Sequence, residues 1–204
     1  IMKKRPSPVI NCFEAKNVTV RKRKTVPGNA SYSEIVQMGK RVYIFSDSIA
    51  KGIRKKEFNS HLRNHHANLY DFPGATAKQL SYHMKPYITE DTPDVVIIHV
   101  GTNDVTKTSK SQQSAQQIAN DIIYIGENCK QKGVNDVMLS SITCRRNFPL
   151  NRKSIEINAI LREMCKERGF VFIDNSNIGV AHLWNDSLHL LQSGKDRIAN
   201  NFIS

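Results

Sequence analysis

The chain has 204 residues, 39% of them apolar and 24% charged, and a formal net charge of +12. That balance supports a globular domain with a real core, and ten Gly and seven Pro exclude collagen-like and low-complexity chains. No apolar run approaches the roughly 20 residues needed to cross a bilayer, since Val95-Val96-Ile97-Ile98 is followed at once by His99.

Residues 1–38 read as a basic arm or linker, and 39–204 as one domain. Lys3-Lys4-Arg5 has no apolar stretch after it, so the start does not read as a secretory signal. Residues 1–41 hold ten basic and two acidic side chains, densest at Arg21, Lys22, Arg23 and Lys24. Such an arm suits a polyanion, whether RNA, DNA or an anionic membrane. The plain alternative is a solvated linker.

From Arg41 onward, short β-branched runs at 41–45, 67–72, 95–100, 137–142 and 170–174 read as buried strands. Helical periods lie between them at 48–62, 75–85, 111–132 and 151–168, with a last helix from Ser193 onward. In 111–132, for example, Ile118, Ile122, Ile125 and Cys129 share a face, and Gly133 is the stop. Alternating strands and helices imply a parallel sheet covered on both faces, with the ligand site at the carboxyl ends of its strands.

Four fragments fall at those ends or in the loop before the last helix. Ser46-Asp47-Ser48-Ile49 places Ser48 on a strand-to-helix turn, where it is exposed for chemistry, or where Ser46 or Ser48 simply caps the helix. Gly74 offers an unobstructed amide after the second strand. Gly101-Thr102-Asn103-Asp104 follows the third and offers either an amide donor in Asn103 or an ordinary turn. Asp186-Ser187-Leu188-His189 sets a carboxylate at the right reach to orient an imidazole. Together they hold a nucleophile, a base, an orienting acid and oxyanion donors, the inventory of acyl transfer.

These four blocks resemble those of the SGNH, or GDSL-type, hydrolases over residues 41–204. The resemblance implies a three-layer, flavodoxin-like α/β/α fold with a five-stranded parallel sheet. It also implies esterase, lipase or thioesterase activity with no metal or other cofactor. It assigns Ser48 as nucleophile, His189 as general base and Asp186 as its partner. The oxyanion hole would be the Ser48 and Gly74 amides with the Asn103 side chain. The family usually has Gly where this chain has Ser46, a costly exchange if the backbone there needs φ > 0.

The basic arm, the run Ser140-Ser141-Ile142-Thr143 with Arg145 and Arg146, and the run from Leu183 to His189 are similar to one branch of that family. It is the esterase domain in first-frame proteins of LINE-type, non-LTR retrotransposons. That similarity implies a small ester or lipid substrate, an intracellular ribonucleoprotein setting, contact with RNA or membranes, and self-association outside or through this domain. Thr143 and Trp184 would line the substrate pocket, although Trp184 equally suits packing under the last helix. Arg145, Arg146, Arg152 and Lys153, with Lys51, Arg54, Lys55 and Lys56, form either a positive site rim or a solvated face.

His61 and His65 have a zinc-compatible spacing but no third ligand in view, and His99 reads as a hydrogen-bonded core residue. Cys12, Cys129, Cys144 and Cys165 contain no C-x-x-C pair, which argues for reduced thiols in an intracellular, cytoplasmic setting.

Overall fold

Val95-Val96-Ile97-Ile98 is apolar at every position because both faces of its strand are covered. Val96 and Ile98 join a cluster with Leu80, Ile118, Ile122 and Leu161, whereas Val95 and Ile97 join another with Leu183, Leu190, Ile198 and Phe202. The computed structural model describes residues 39–53, 58–59, 66–106 and 113–203. Within them lie strands β1 (Arg41–Ser46), β2 (His66–Asp71), β3 (Val95–His99), β4 (Asp136–Ser140) and β5 (Val171–Ile173). They pair in the order β2-β1-β3-β4-β5, parallel throughout. This is the flavodoxin-like sheet expected, and it sets β1 beside β3, where the direction of winding reverses.

Helices among the described residues include α1 (Ala77–His83), α2 (Lys85–Glu90), α3 (Thr102–Val105), α4 (Ala115–Gln131), α5 (Phe148–Arg168) and α6 (Gln192–Ile203). Helices α1, α4 and α5 contribute to the first cluster and α6 to the second, which makes three layers. Local chemistry sets their ends. Ser114 and Gln117 form a reciprocal capping box at the start of α4, Asn147 caps α5, and Gly169 ends α5 in the left-handed region at φ +69°.

Three expected elements differ. The segment at 75–85 continues to Glu90 as a second helix, with Pro86 in its first turn. The turn expected at 101–104 contains the one-turn helix α3. The helix expected over 48–62 does not run as one element. A 3-10 turn, Ser48–Ala50, is followed by Gly52 at φ +84°, outside helical space. Arg54, Lys55, Lys56, His61 and His65 lie outside the described residues, as do Cys12 and the basic arm with Arg21, Lys22, Arg23 and Lys24.

Candidate active site

β1 delivers its last residue, Ser46, to the carboxyl edge of the sheet, and the chain turns there because Asp47 is bonded twice. Its amide donates to the His99 carbonyl at 3.2 Å, and its carboxylate Oδ1 accepts from the Ile49 amide at 3.0 Å. The side chain thereby caps the 3-10 turn. Ser48, the first residue of that turn, is left half-buried, with its amide at the open start where helical turns leave N–H groups unused.

The partners of Ser48 come from a loop distant in sequence, whose Leu183 and Leu190 share a core cluster with Ile49. Leu183 and Leu190 pair in an antiparallel bridge, and the Trp184 amide donates to the His189 carbonyl at 2.8 Å, which closes the loop at its base. Inside it, Asp186 Oδ1 accepts from the amides of Leu188 and His189 at 3.0 and 2.9 Å. Asp186 Oδ2 lies 2.6 Å from His189 Nδ1, and His189 Nε2 lies 3.1 Å from Ser48 Oγ. The hydrogen bond from His189, helped by the two amides, holds the Asp186 carboxyl down to about 2. Ser187 bridges the pair at φ +64°, a left-handed conformation unusual for a side chain other than Gly. Sequence alone carried no signal for that strain.

Asn103 lies on α3, at the end of β3, and its Nδ2 donates to the Ala75 carbonyl at 3.0 Å. That bond uses one of two amide hydrogens and brings Asn103 against the loop that holds Gly74. Gly74 has φ +80°, and open space lies where a Cβ would stand. Gly101 is demanding in another way: at φ +120° its Cβ would come within 2.6 Å of Ile142 Cδ1. The fold thus brings Ser48, His189 and Asp186 into one hydrogen-bonded chain and anchors Asn103 to the residue after Gly74.

Beneath the turn lies a buried charge cluster. Burial, reinforced by the neighbouring Asp104 carboxylate, pushes Asp47 up to about 7, with the Ile49 amide and Arg145 acting in the opposite direction. Asp104 Oδ2 accepts from the Ala77 amide at 3.0 Å. The sequence offers a serine as the cap at this turn, whereas the structure gives the cap to Asp47 and buries it.

Several expected roles change. Arg145 does not face solvent: it is 6% exposed, and its Nη2 donates to the Thr102 carbonyl at 2.8 Å. Arg146 is the exposed member of that pair. Thr143 is 2% exposed, too deep to line an open pocket, and Trp184 is 54% exposed, so it is not packed under the last helix. Ser46 carries no left-handed φ, which removes the anticipated backbone cost, but its buried Oγ has no hydrogen-bond partner among the described residues. His99 is a core residue, with Nδ1 3.0 Å from Ser140 Oγ and a pKa lowered by burial to about 4. Burial also raises the Cys144 thiol. Among the described residues no group of three His, Cys, Asp or Glu is arranged to hold a metal ion.

The sequence matches the model of the GDSL-like lipase/acylhydrolase family over residues 47–197, well over half of the chain. No curated protein matches it. Among solved structures, a GDSL-like lipase from Bacteroides thetaiotaomicron is 20% identical, with a TM-score of 0.67 and 80% of this chain and 85% of that one covered. A mutant of Axe2, an acetyl-xylooligosaccharide esterase from Geobacillus stearothermophilus, is 15% identical, with a TM-score of 0.69 and coverage of 82% and 94%. Three further Axe2 structures are catalytic mutants of a serine, an aspartate and a histidine, the last two being three residues apart. LAE5, an α/β-hydrolase enzyme from the metagenome of Lake Arreo, is 17% identical, with a TM-score of 0.64 and coverage of 81% and 94%. Spanning both the serine turn and the Asp186–His189 loop, the family match makes this chain a member of the GDSL-like lipase/acylhydrolases, carboxylic ester hydrolases.

Proposed function

We propose that the chain is a serine esterase acting on short acyl esters, acetyl esters foremost, through an acyl-enzyme. The observation that carries this reading is the chain of contacts from Asp186 through His189 to Ser48 Oγ. His189 Nε2 takes the Ser48 proton as Oγ bonds to the ester carbon, and Asp186 holds the imidazole in the tautomer that leaves Nε2 free to accept. The oxyanion that forms is met by the amides of Ser48 and Gly74 and by the second hydrogen of Asn103 Nδ2. When the carbon–oxygen bond to the alcohol breaks, His189 gives its proton to the leaving oxygen. Water then attacks the acyl group, losing its proton to His189, and Ser48 recovers a proton as the acid departs.

Short acyl groups fit because the Asp186 and His189 side chains are 49% and 45% exposed, Thr143 is buried and Trp184 turns outward. Few apolar walls are left for a long chain. The three-residue spacing of Asp186 and His189 equals that of the aspartate and histidine mutated in Axe2, which acts on acetylated sugars. We place the protein in a retrotransposon-encoded ribonucleoprotein in the cytoplasm, with its basic arm on RNA or an anionic membrane and with self-association among its copies. The charge of the arm and the motif resemblance support this setting. The second reading, a weakly active module whose main task is that attachment, draws on the same charge.

Rapid mixing with p-nitrophenyl acetate tests the chemistry. A burst of p-nitrophenol equal to the enzyme concentration, followed by a slower steady rate, is expected for acyl-enzyme turnover. Ser48→Ala should abolish the burst; a burst that survives it overturns the assignment, and no burst in the unaltered protein favours the attachment module.

A further inference from the structure

Helix α3 is a single turn of four residues, closed by a bond from the Val105 amide to the Gly101 carbonyl. So short a helix does not persist unaided. Side chains hold it in place: Asn103 Nδ2 on the Ala75 carbonyl, the Ala77 amide on Asp104 Oδ2, and Arg145 Nη2 on the Thr102 carbonyl at 2.8 Å. The first two tie α3 to the loop between β2 and α1 and to the first residue of α1. Arg145 reaches it from the opposite direction, from the loop between β4 and α5, where its own amide donates to Asn151 Oδ1 at 2.9 Å.

The Thr102 carbonyl and the Asn103 nitrogen belong to one planar peptide unit. A guanidinium bound to that carbonyl therefore sets the plane from which the Asn103 side chain projects. Arginine is seldom buried this deeply without a paired charge, and Arg145 lies within electrostatic reach of Asp47, the residue that caps the Ser48 turn. One side chain thus bonds the peptide of the oxyanion donor while lying in the field of the residue that caps the nucleophile's turn. We infer that Arg145 is a positioning residue for the reaction, aiming Asn103 through the Thr102 carbonyl. The inference rests on the oxyanion role proposed above for Asn103.

The test is a double-mutant cycle on hydrolysis of p-nitrophenyl acetate, with folding checked by circular dichroism. Arg145→Met should lower kcat about 10–100-fold and leave KM within about twofold, the signature of a donor misplaced by a fraction of an ångström. In an Asn103→Ala background the same change should cost less than about threefold, because the group it aims is already gone. Arg145→Lys, which keeps the charge and one donor, should recover part of the loss. Equal losses in both backgrounds, an unchanged kcat in Arg145→Met, or a Lys variant no better than Met overturns the inference. If Arg145→Met does not fold, Arg145→Lys carries the same cycle, with a several-fold loss expected beside Asn103 and none beside Ala. An Asn103→Ala protein with unaltered kcat instead removes the oxyanion assignment itself, a result distinct from failure of the Arg145 cycle.

Discussion

Asn103 gives one amide hydrogen to the Ala75 carbonyl, 3.0 Å away, and so keeps the other free in a fixed direction. The contact is what turns a half-buried amide into an aimed donor, since both of its neighbours on α3 are also tied down. Asn103→Ala should reduce kcat roughly 10²–10³-fold with little change in KM, because the lost bond to the oxyanion matures only in the transition state; loss of the Ala75 contact should lower the melting temperature by a few degrees without unfolding the domain. Steady-state kinetics on a soluble acetyl ester measure this directly. An Asn103→Asp variant should not rescue the rate, since its carboxylate places negative charge where the oxyanion forms.

The left-handed Ser187 sits between the acid and the base, and its amide donates to the Trp184 carbonyl at 2.9 Å. A β-branched residue there would face a cost of about 1–2 kcal/mol. The surrounding loop is exposed, so that cost is expected to displace His189 rather than unfold the domain. Ser187→Val should lower kcat roughly tenfold with a melting shift of only a few degrees, and Ser187→Gly should retain near-normal turnover. A Val variant as active as the unaltered protein would show that the loop geometry does not depend on this residue.

Much of this site was legible as residue types at fixed places. Ser48, Gly74 and Asn103 stand out at strand ends and Asp186 with His189 in the loop before the last helix, each with an ordinary turn or cap reading beside it until the family resemblance gives them roles, and the strands themselves follow from β-branched runs such as Val95-Val96-Ile97-Ile98. Depth and direction were not legible. Arg145 and Arg146 are adjacent and chemically alike, yet one is buried on a backbone carbonyl and the other is exposed. Only tertiary packing of the loop after β4 separates them. Likewise Gly52, whose positive φ stops the expected helix, looks in sequence like a tolerable interruption.

Two buried titratable groups should leave opposing marks on stability against pH. Asp47 is an acid raised on folding from 3.8 to about 7, so the folded state binds more protons across that window. Its contribution is greatest below the unfolded value and is lost as pH rises. His99 is lowered from 6.5 to about 4, so its contribution is present above the unfolded value and is lost as pH falls. Between about 4 and 6.5 the two slopes oppose each other, and the unaltered protein should show a nearly flat urea midpoint. His99→Gln should expose the Asp47 slope, with stability declining as pH increases, and Asp47→Asn should expose the reverse. Parallel profiles for the two variants would contradict the assignment.

The last prediction concerns the arm. Residues 1–41 hold ten basic and two acidic side chains, whereas every residue assigned to chemistry lies after Lys40. If Arg21 to Lys24 and their neighbours meet phosphates, binding releases condensed counterions, and the affinity for RNA should fall linearly in log–log form as salt increases. Deleting residues 1–38 should flatten that slope by several units and weaken binding at low salt. Hydrolysis of a small soluble ester should stay within about twofold, since a neutral substrate gains little from a distant positive field. Anionic vesicles in place of RNA separate the two candidate surfaces: a loss confined to RNA assigns the arm to nucleic acid, and a loss confined to vesicles assigns it to the membrane. Equal binding by the full and shortened chains at low salt would reduce the arm to a linker.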